Sequence, residues 1–218
     1  MIESFLSRRG KDLEGFEFLY GKDNNQNPAS EWGESSKKIL LVFLSTGPTR
    51  SVSNTFTVLN NIIKTRFGSD CFVDYSYLPS KDDIKVFRDE RMSFLFGNVS
   101  HKFWYEYDMV ALCMSILPEL YNIPAVLRFN NIPLGYNERM SRPDVPYIIA
   151  GGVCSPMADI IYGKVSETDH CMVDGVYVGH AEEHFCDVIE SLLSPDFSKR
   201  ESLKTVARNV PCFYVPAE

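Results

Sequence analysis

From Lys38 onward the chain alternates unbroken apolar runs with stretches in which apolar residues recur every three or four positions. Ile39-Leu40-Leu41-Val42-Phe43-Leu44 has strand length and no polar alternation, the pattern of a strand buried on both faces of a parallel sheet. It closes in Ser45-Thr46-Gly47-Pro48, a loop by composition. Behind Ser51, a suitable N-cap, Val52, Phe56, Leu59, Ile62 and Ile63 fall on one helical face. Cys71 to Tyr75 reads as the second strand, and Ser80-Lys81-Asp82-Asp83 as the start of a helix carrying Ile84, Val86 and Phe87. Phe94-Leu95-Phe96 suggests a short extra strand before an aromatic turn, Phe103 to Tyr107, that packs against the sheet edge. Met109 to Met114 is the third main strand, and Pro124 suits the first turn of the helix after it. Tyr147 to Ala150 is the fourth, followed by a short helix near Met157 to Ile161. Cys171 to Val178 is the last strand, and a helix from His180 to Leu193 follows it.

Strands alternating with helices predict an α/β fold: a doubly wound, mainly parallel five-stranded sheet of flavodoxin-like or Rossmann-like type. Residues 1–37 lack this alternation and read as an N-terminal arm, 38–195 as the α/β domain, and 196–218 as a C-terminal helix and linker.

Composition narrows the function classes. With 44% hydrophobic and 23% charged residues the chain has the make-up of a soluble globular protein. A net charge of -7 does not indicate nucleic-acid binding, which needs clustered cations to neutralise phosphates. No apolar run approaches the roughly 20 residues needed to cross a bilayer, and the opening residues lack the apolar centre of a signal peptide, so the expected location is cytoplasmic. The six cysteines lie far apart, several in apolar runs where thiols serve as small hydrophobes. There is no CxxC and no CxxxCxxC, hence no zinc-ribbon spacing and no local thiolate set for an iron-sulfur cluster.

GxGxxG, GxxxxGK[ST] and GxSxG are absent, so no residue of this chain is assigned a catalytic role. The ligand-facing positions must come from several strand ends together. In a doubly wound sheet Ser45, Thr46 and Gly47, Ser115 and Leu117, Gly151 and Gly152, and Gly179 with Glu182 beyond it share the carboxyl edge, where small residues leave room for a ligand. His180-Ala181-Glu182-Glu183-His184 also fits the HxxEH pattern of a zinc hydrolase, but it opens a helix and shows no third ligand.

Ser115-Ile116-Leu117 and Gly151-Gly152 resemble the SxL and GG elements of the cobalamin-binding family. A closer resemblance, over about residues 38–193, is to the N-terminal cobalamin-binding-like domain of radical S-adenosylmethionine (radical SAM) proteins. It is carried by Ile149-Ala150-Gly151-Gly152, by Val178-Gly179-His180-Ala181-Glu182-Glu183 and by the stretch from Ser45 to Phe56. The resemblance implies an accessory role, with cobalamin as the candidate cofactor on the rim residues named above. It further implies that the iron-sulfur cluster and S-adenosylmethionine belong to a partner barrel in the same parent chain or a separate one. The tail from Val210 to Pro216 is similar to the segment leading into that barrel. The DxHxxG loop of cobalamin binders is missing, so no histidine stands at the axial position. A cofactor-free interaction module on the same fold is the alternative. If Gly151 and Gly152 serve close approach of a ligand, Gly152→Val should abolish binding while sparing the fold. If they only permit a tight turn, it should unfold the domain.

Overall fold

A computed structural model describes residues 1–14, 29–46, 54–155 and 171–217. The strands are β1 (Lys37–Phe43), β2 (Cys71–Tyr77), β3 (Met109–Cys113), β4 (Tyr147–Gly151), β5 (Gly175–Tyr177) and β6 (Phe213–Tyr214). They form one sheet in the order β2-β1-β3-β4-β5-β6. The first five run parallel, as the unbroken apolar runs predict, and β6 adds an antiparallel edge that the sequence reading assigned to a linker. The helices are α1 (Ile2–Arg9), α2 (Thr55–Phe67), α3 (Lys81–Asp89), α4 (Ile123–Phe129), α5 (Tyr136–Ser141), α6 (Ala181–Leu192) and α7 (Lys199–Asn209).

Alternate residues of β1 feed two cores. Leu40 and Val42 join the side chains of α3 and α4, whereas Ile39, Leu41 and Phe43 meet those of α2, α6 and α7. Burial on both faces explains why this strand shows no polar alternation. At the register point Leu41 lies between Tyr75 of β2 and Ala111 of β3.

Several local expectations hold for the reasons that suggested them. Ser80 caps α3, its hydroxyl accepting from the Asp83 amide at 3.1 Å. Pro124 occupies the first turn of α4. Phe103, Trp104 and Tyr107 are buried, leaving Tyr105 half exposed. Tyr107 donates to the buried Asp74 carboxylate at 3.1 Å, and Asp74 also accepts from the amides of Val99 and Ser100. Burial, reinforced by that carboxylate, raises the Tyr107 phenol well above its ordinary pKa.

Other boundaries differ. Helix α2 begins at Thr55 with Asn54 in the N-cap position; Ser51 and Val52 lie outside the described residues, as does the helix expected near Met157 to Ile161. Phe96 forms only an isolated bridge to Phe103, so no strand runs through Phe94 to Phe96. The last parallel strand shrinks from the expected Cys171–Val178 to Gly175–Tyr177. The cause is Asp174: its Oδ2 accepts from the Ile148 amide at 2.8 Å, taking the place a strand carbonyl would hold. Arg139 fixes that carboxylate, donating from Nε to Asp174 Oδ1 at 2.7 Å and from its terminal nitrogens to the carbonyls of Pro133, Leu134 and Cys171. Both partners have no exposed side-chain surface.

The chain termini also contribute to the body of the domain. Ile2 and Phe5 of α1 are buried, the Phe5 ring lying tilted against that of Phe87 at 5.1 Å between centroids, while Arg8 and Arg9 pair with Glu90. At the other end a Ser198–Glu201 capping box starts α7, which packs on α6. Phe213 of β6 lies so close over Gly175 that a side chain there would enter its ring.

Cys71, Cys113 and Cys171 are buried, Cys154 and Cys186 half-buried and Cys212 exposed. Burial pushes the Cys71 thiol up to about 12, which removes its thiolate at ordinary pH. Native alkylation with iodoacetamide at pH 8, read by peptide mass spectrometry, is therefore expected to label Cys212 first and Cys71 only after denaturation.

Candidate functional site

The carboxyl ends of β3, β4 and β5 open into a cleft of about 630 Å³. Its floor is apolar, built by Ala111, Cys113, Ile149 and Tyr177, and its walls are Val58 and Leu59 of α2 and Phe185 of α6. All these strands run parallel, so their carboxyl ends and the following helix starts gather on one edge. Polar residues also line it: Asn54 and Thr55 at the start of α2, Ser115, the buried Ser155, and His180 with Glu182 at the start of α6. Neither Asn54 nor His180 caps its helix with its side chain. Two helix N-termini, with amide hydrogens that lack intrahelical acceptors, therefore flank an apolar floor.

Ser115, Gly151, Gly152, Gly179 and Glu182 line this cleft together, on loops far apart in sequence. Ser45, Thr46 and Leu117 do not line it. Ser45 is buried and its hydroxyl donates to Glu119, while Leu117 faces outward with 42% of its surface exposed. Gly47 lies outside the described residues.

The two glycines have different tasks. Gly152 adopts φ +117°, and a β-carbon there would overlap the Met114 carbonyl oxygen and lie 2.9 Å from its carbon. The close approach is thus made by the end of β3, a protein backbone. A β-carbon on Gly151 would meet only Tyr177 at 3.6 and 3.8 Å, ordinary contact. Gly152 turns the chain so that its carbonyl accepts from both the amide and the hydroxyl of Ser155, at 2.9 and 2.7 Å.

Reading strand ends and motifs missed the α2 residues and the aromatic walls. Strand parity could have found Tyr177, which points to the same side of the sheet as Phe43 and Ile149. It is anchored by a 2.8 Å hydrogen bond from its hydroxyl to the His180 carbonyl, and burial raises its phenol pKa. Of the HxxEH histidines, His180 sits at the N-cap of α6 and His184 contacts Asp187 at 3.2 Å. Among the described residues no three His, Cys, Asp or Glu side chains are grouped to hold a metal ion.

Residues 55–216 match the family model described as radical SAM proteins, N-terminal. The chain belongs to that family. Neither the curated proteins nor the solved structures contain a match. The matched span of this radical SAM N-terminal domain starts at the first residue of α2 and runs past β6. It therefore includes every described β-strand except β1, together with both helices that wall the cleft. Among the described residues of the domain no helix is long and apolar enough to cross a membrane.

Proposed function

We propose that this domain is the cobalamin-binding-like accessory part of a radical SAM enzyme and that the cleft over β3, β4 and β5 helps shape the cofactor or substrate site. One observation carries the reading. In a domain of this family the apolar cleft lies at the carboxyl edge of a doubly wound sheet, between two helix N-termini. The iron-sulfur cluster and S-adenosylmethionine would then reside in the radical SAM barrel, in the same parent chain or another, in a cytoplasmic setting.

The residues fit the tail of cobalamin better than its cobalt. The floor accepts a flat apolar group, and the two helix starts favour an anionic one beside it. No imidazole occurs from Ser45 to Arg50 to supply an axial nitrogen. Hydroxocobalamin added to the isolated domain is expected to bind weakly, with a visible spectrum lacking the signature of a protein histidine on cobalt. Gly151→Leu, which sends a side chain toward the cleft where the backbone has room, is expected to retain the melting temperature and lose that binding. A spectrum indifferent to the domain at all concentrations, or unchanged binding by well-folded Gly151→Leu, removes cobalamin from the cleft.

A second reading, a cofactor-free module that binds a protein partner, draws on the rim beside the cleft. There Ile116, Leu117, Tyr121 and Val153 are 48, 42, 68 and 85% exposed. Exposed large apolar side chains, where they gather, mark contact surfaces.

A further inference from the structure

The sheet edge opposite the cleft carries a second cavity, of about 390 Å³, a size at which small molecules are held. It opens at the amino ends of β1, β3 and β4, beside the end of α6 and the start of α7. It shares no lining residue with the cleft.

Among the described residues, the charged groups on its wall are Glu106, Asp108, Asp144 and Lys199. Two of them are already paired, Glu106 with Lys102 at 3.5 Å and Asp144 with Arg142 at 2.6 Å. Asp108 and Lys199 form no ion pair among the described residues. Asp108 Oδ2 accepts from the Lys38 amide at 2.7 Å, and the Lys199 ammonium donates to the carbonyls of Arg139 and Val145 at 3.1 and 2.8 Å. Neutral partners hold both groups without cancelling either charge. Loss of water favours the neutral form of each, lowering the pKa of Lys199 and raising that of Asp108. The charges felt at Lys199 are those of Asp174, Arg139 and Asp144, and at Asp108 those of Lys38 and Lys37, so the two groups stand apart on one cavity. Tyr147 connects them: its amide donates to the Asp108 carbonyl at 3.0 Å, and its ring centroid lies 5.2 Å from the Lys199 nitrogen.

A cavity with a separate uncompensated cation and anion selects a ligand that brings both countercharges, held further apart than in a single α-amino acid. An extended dipeptide spans about 7 Å between its termini. We propose that this cavity binds a free dipeptide, its carboxylate on Lys199 and its ammonium on Asp108, with an apolar C-terminal side chain against Tyr147 and Leu193. The site is separate from the cleft and does not depend on what the cleft binds.

The test is a titration of the isotope-labelled chain with glycyl-L-phenylalanine, followed by amide NMR. Saturable shifts are expected at Tyr147 and Leu193, with Gly151 and Gly179 at the cleft unmoved. N-acetylation of the dipeptide removes its ammonium and C-terminal amidation its carboxylate; each should weaken binding about tenfold or more. Asp108→Asn keeps an acceptor for the Lys38 amide. It should weaken glycyl-L-phenylalanine by a similar factor and leave the N-acetyl form, which has no ammonium to lose, unchanged. A merely structural role for Asp108 would weaken both alike. No saturable shift at Tyr147 and Leu193 at millimolar dipeptide, equal binding of the three compounds, or equal weakening of both forms by Asp108→Asn would overturn the proposal. Should Asp108→Asn not fold, the three compounds compared on the intact chain decide.

Discussion

Gly152→Val is expected to destabilise the domain severely, and to weaken every binding activity in parallel, while Gly151→Ala leaves the melting temperature nearly unchanged. The two positions are neighbours in sequence, yet the physics differs. At Gly152 the backbone sits at φ +117°, where a β-branched residue is strained, and its new side chain would overlap the Met114 carbonyl, part of the sheet backbone. Backbone strain of this kind costs about 1–3 kcal/mol and overpacking against an immovable neighbour about as much again. The combined effect, about 4 kcal/mol, is a large share of the roughly 5–15 kcal/mol that holds a domain together. Gly151 has neither difficulty, since its added carbon would touch Tyr177 at ordinary distance. Urea melts of both variants check this. A stable Gly152→Val would show that the β4 turn can move away from β3 and would return Gly152 to the ligand-facing positions.

Arg139→Met is expected to destabilise the domain by about 3–5 kcal/mol, the cost typical of leaving one member of a buried ion pair without the other. Arg139 is fully buried, and its guanidinium joins the carboxylate of Asp174 to three backbone carbonyls. Its loss leaves a buried anion and several buried acceptors without their donor. The double variant Arg139→Met/Asp174→Asn should recover part of the loss: the asparagine oxygen can still accept from the Ile148 amide, and no uncompensated charge remains. Chemical denaturation of the two variants measures that recovery. If Asp174→Asn adds to the damage of Arg139→Met, the carboxylate is stabilised by something other than the guanidinium. The pair also matters for placement, because it sets where β5 begins and hence where Tyr177 and Gly179 meet the cleft.

Much of the architecture follows from the chain alone because it depends on local pattern. Ile39 to Phe43 could be read as a doubly buried strand, Ser80 as a cap and Pro124 as a first-turn residue, since solvent exclusion, a side-chain acceptor and a fixed φ are properties of a few successive residues. The same logic placed Ser115, Gly151, Gly152, Gly179 and Glu182 on one edge: parallel strands bring their carboxyl ends together whatever their separation in sequence. Contacts between distant segments decided the rest. An aspartate, Asp174, displaced a strand carbonyl because a buried arginine from α5 holds it, and no window of sequence around Cys171 to Val178 contains that arginine. Phe213 joined the sheet because Gly175 leaves space for its ring. Ser45 turned from the cleft to Glu119, a partner 74 positions away. A glycine shows in sequence only that the backbone has freedom; which backbone comes close to it, Met114 in the case of Gly152, is fixed when the sheet assembles.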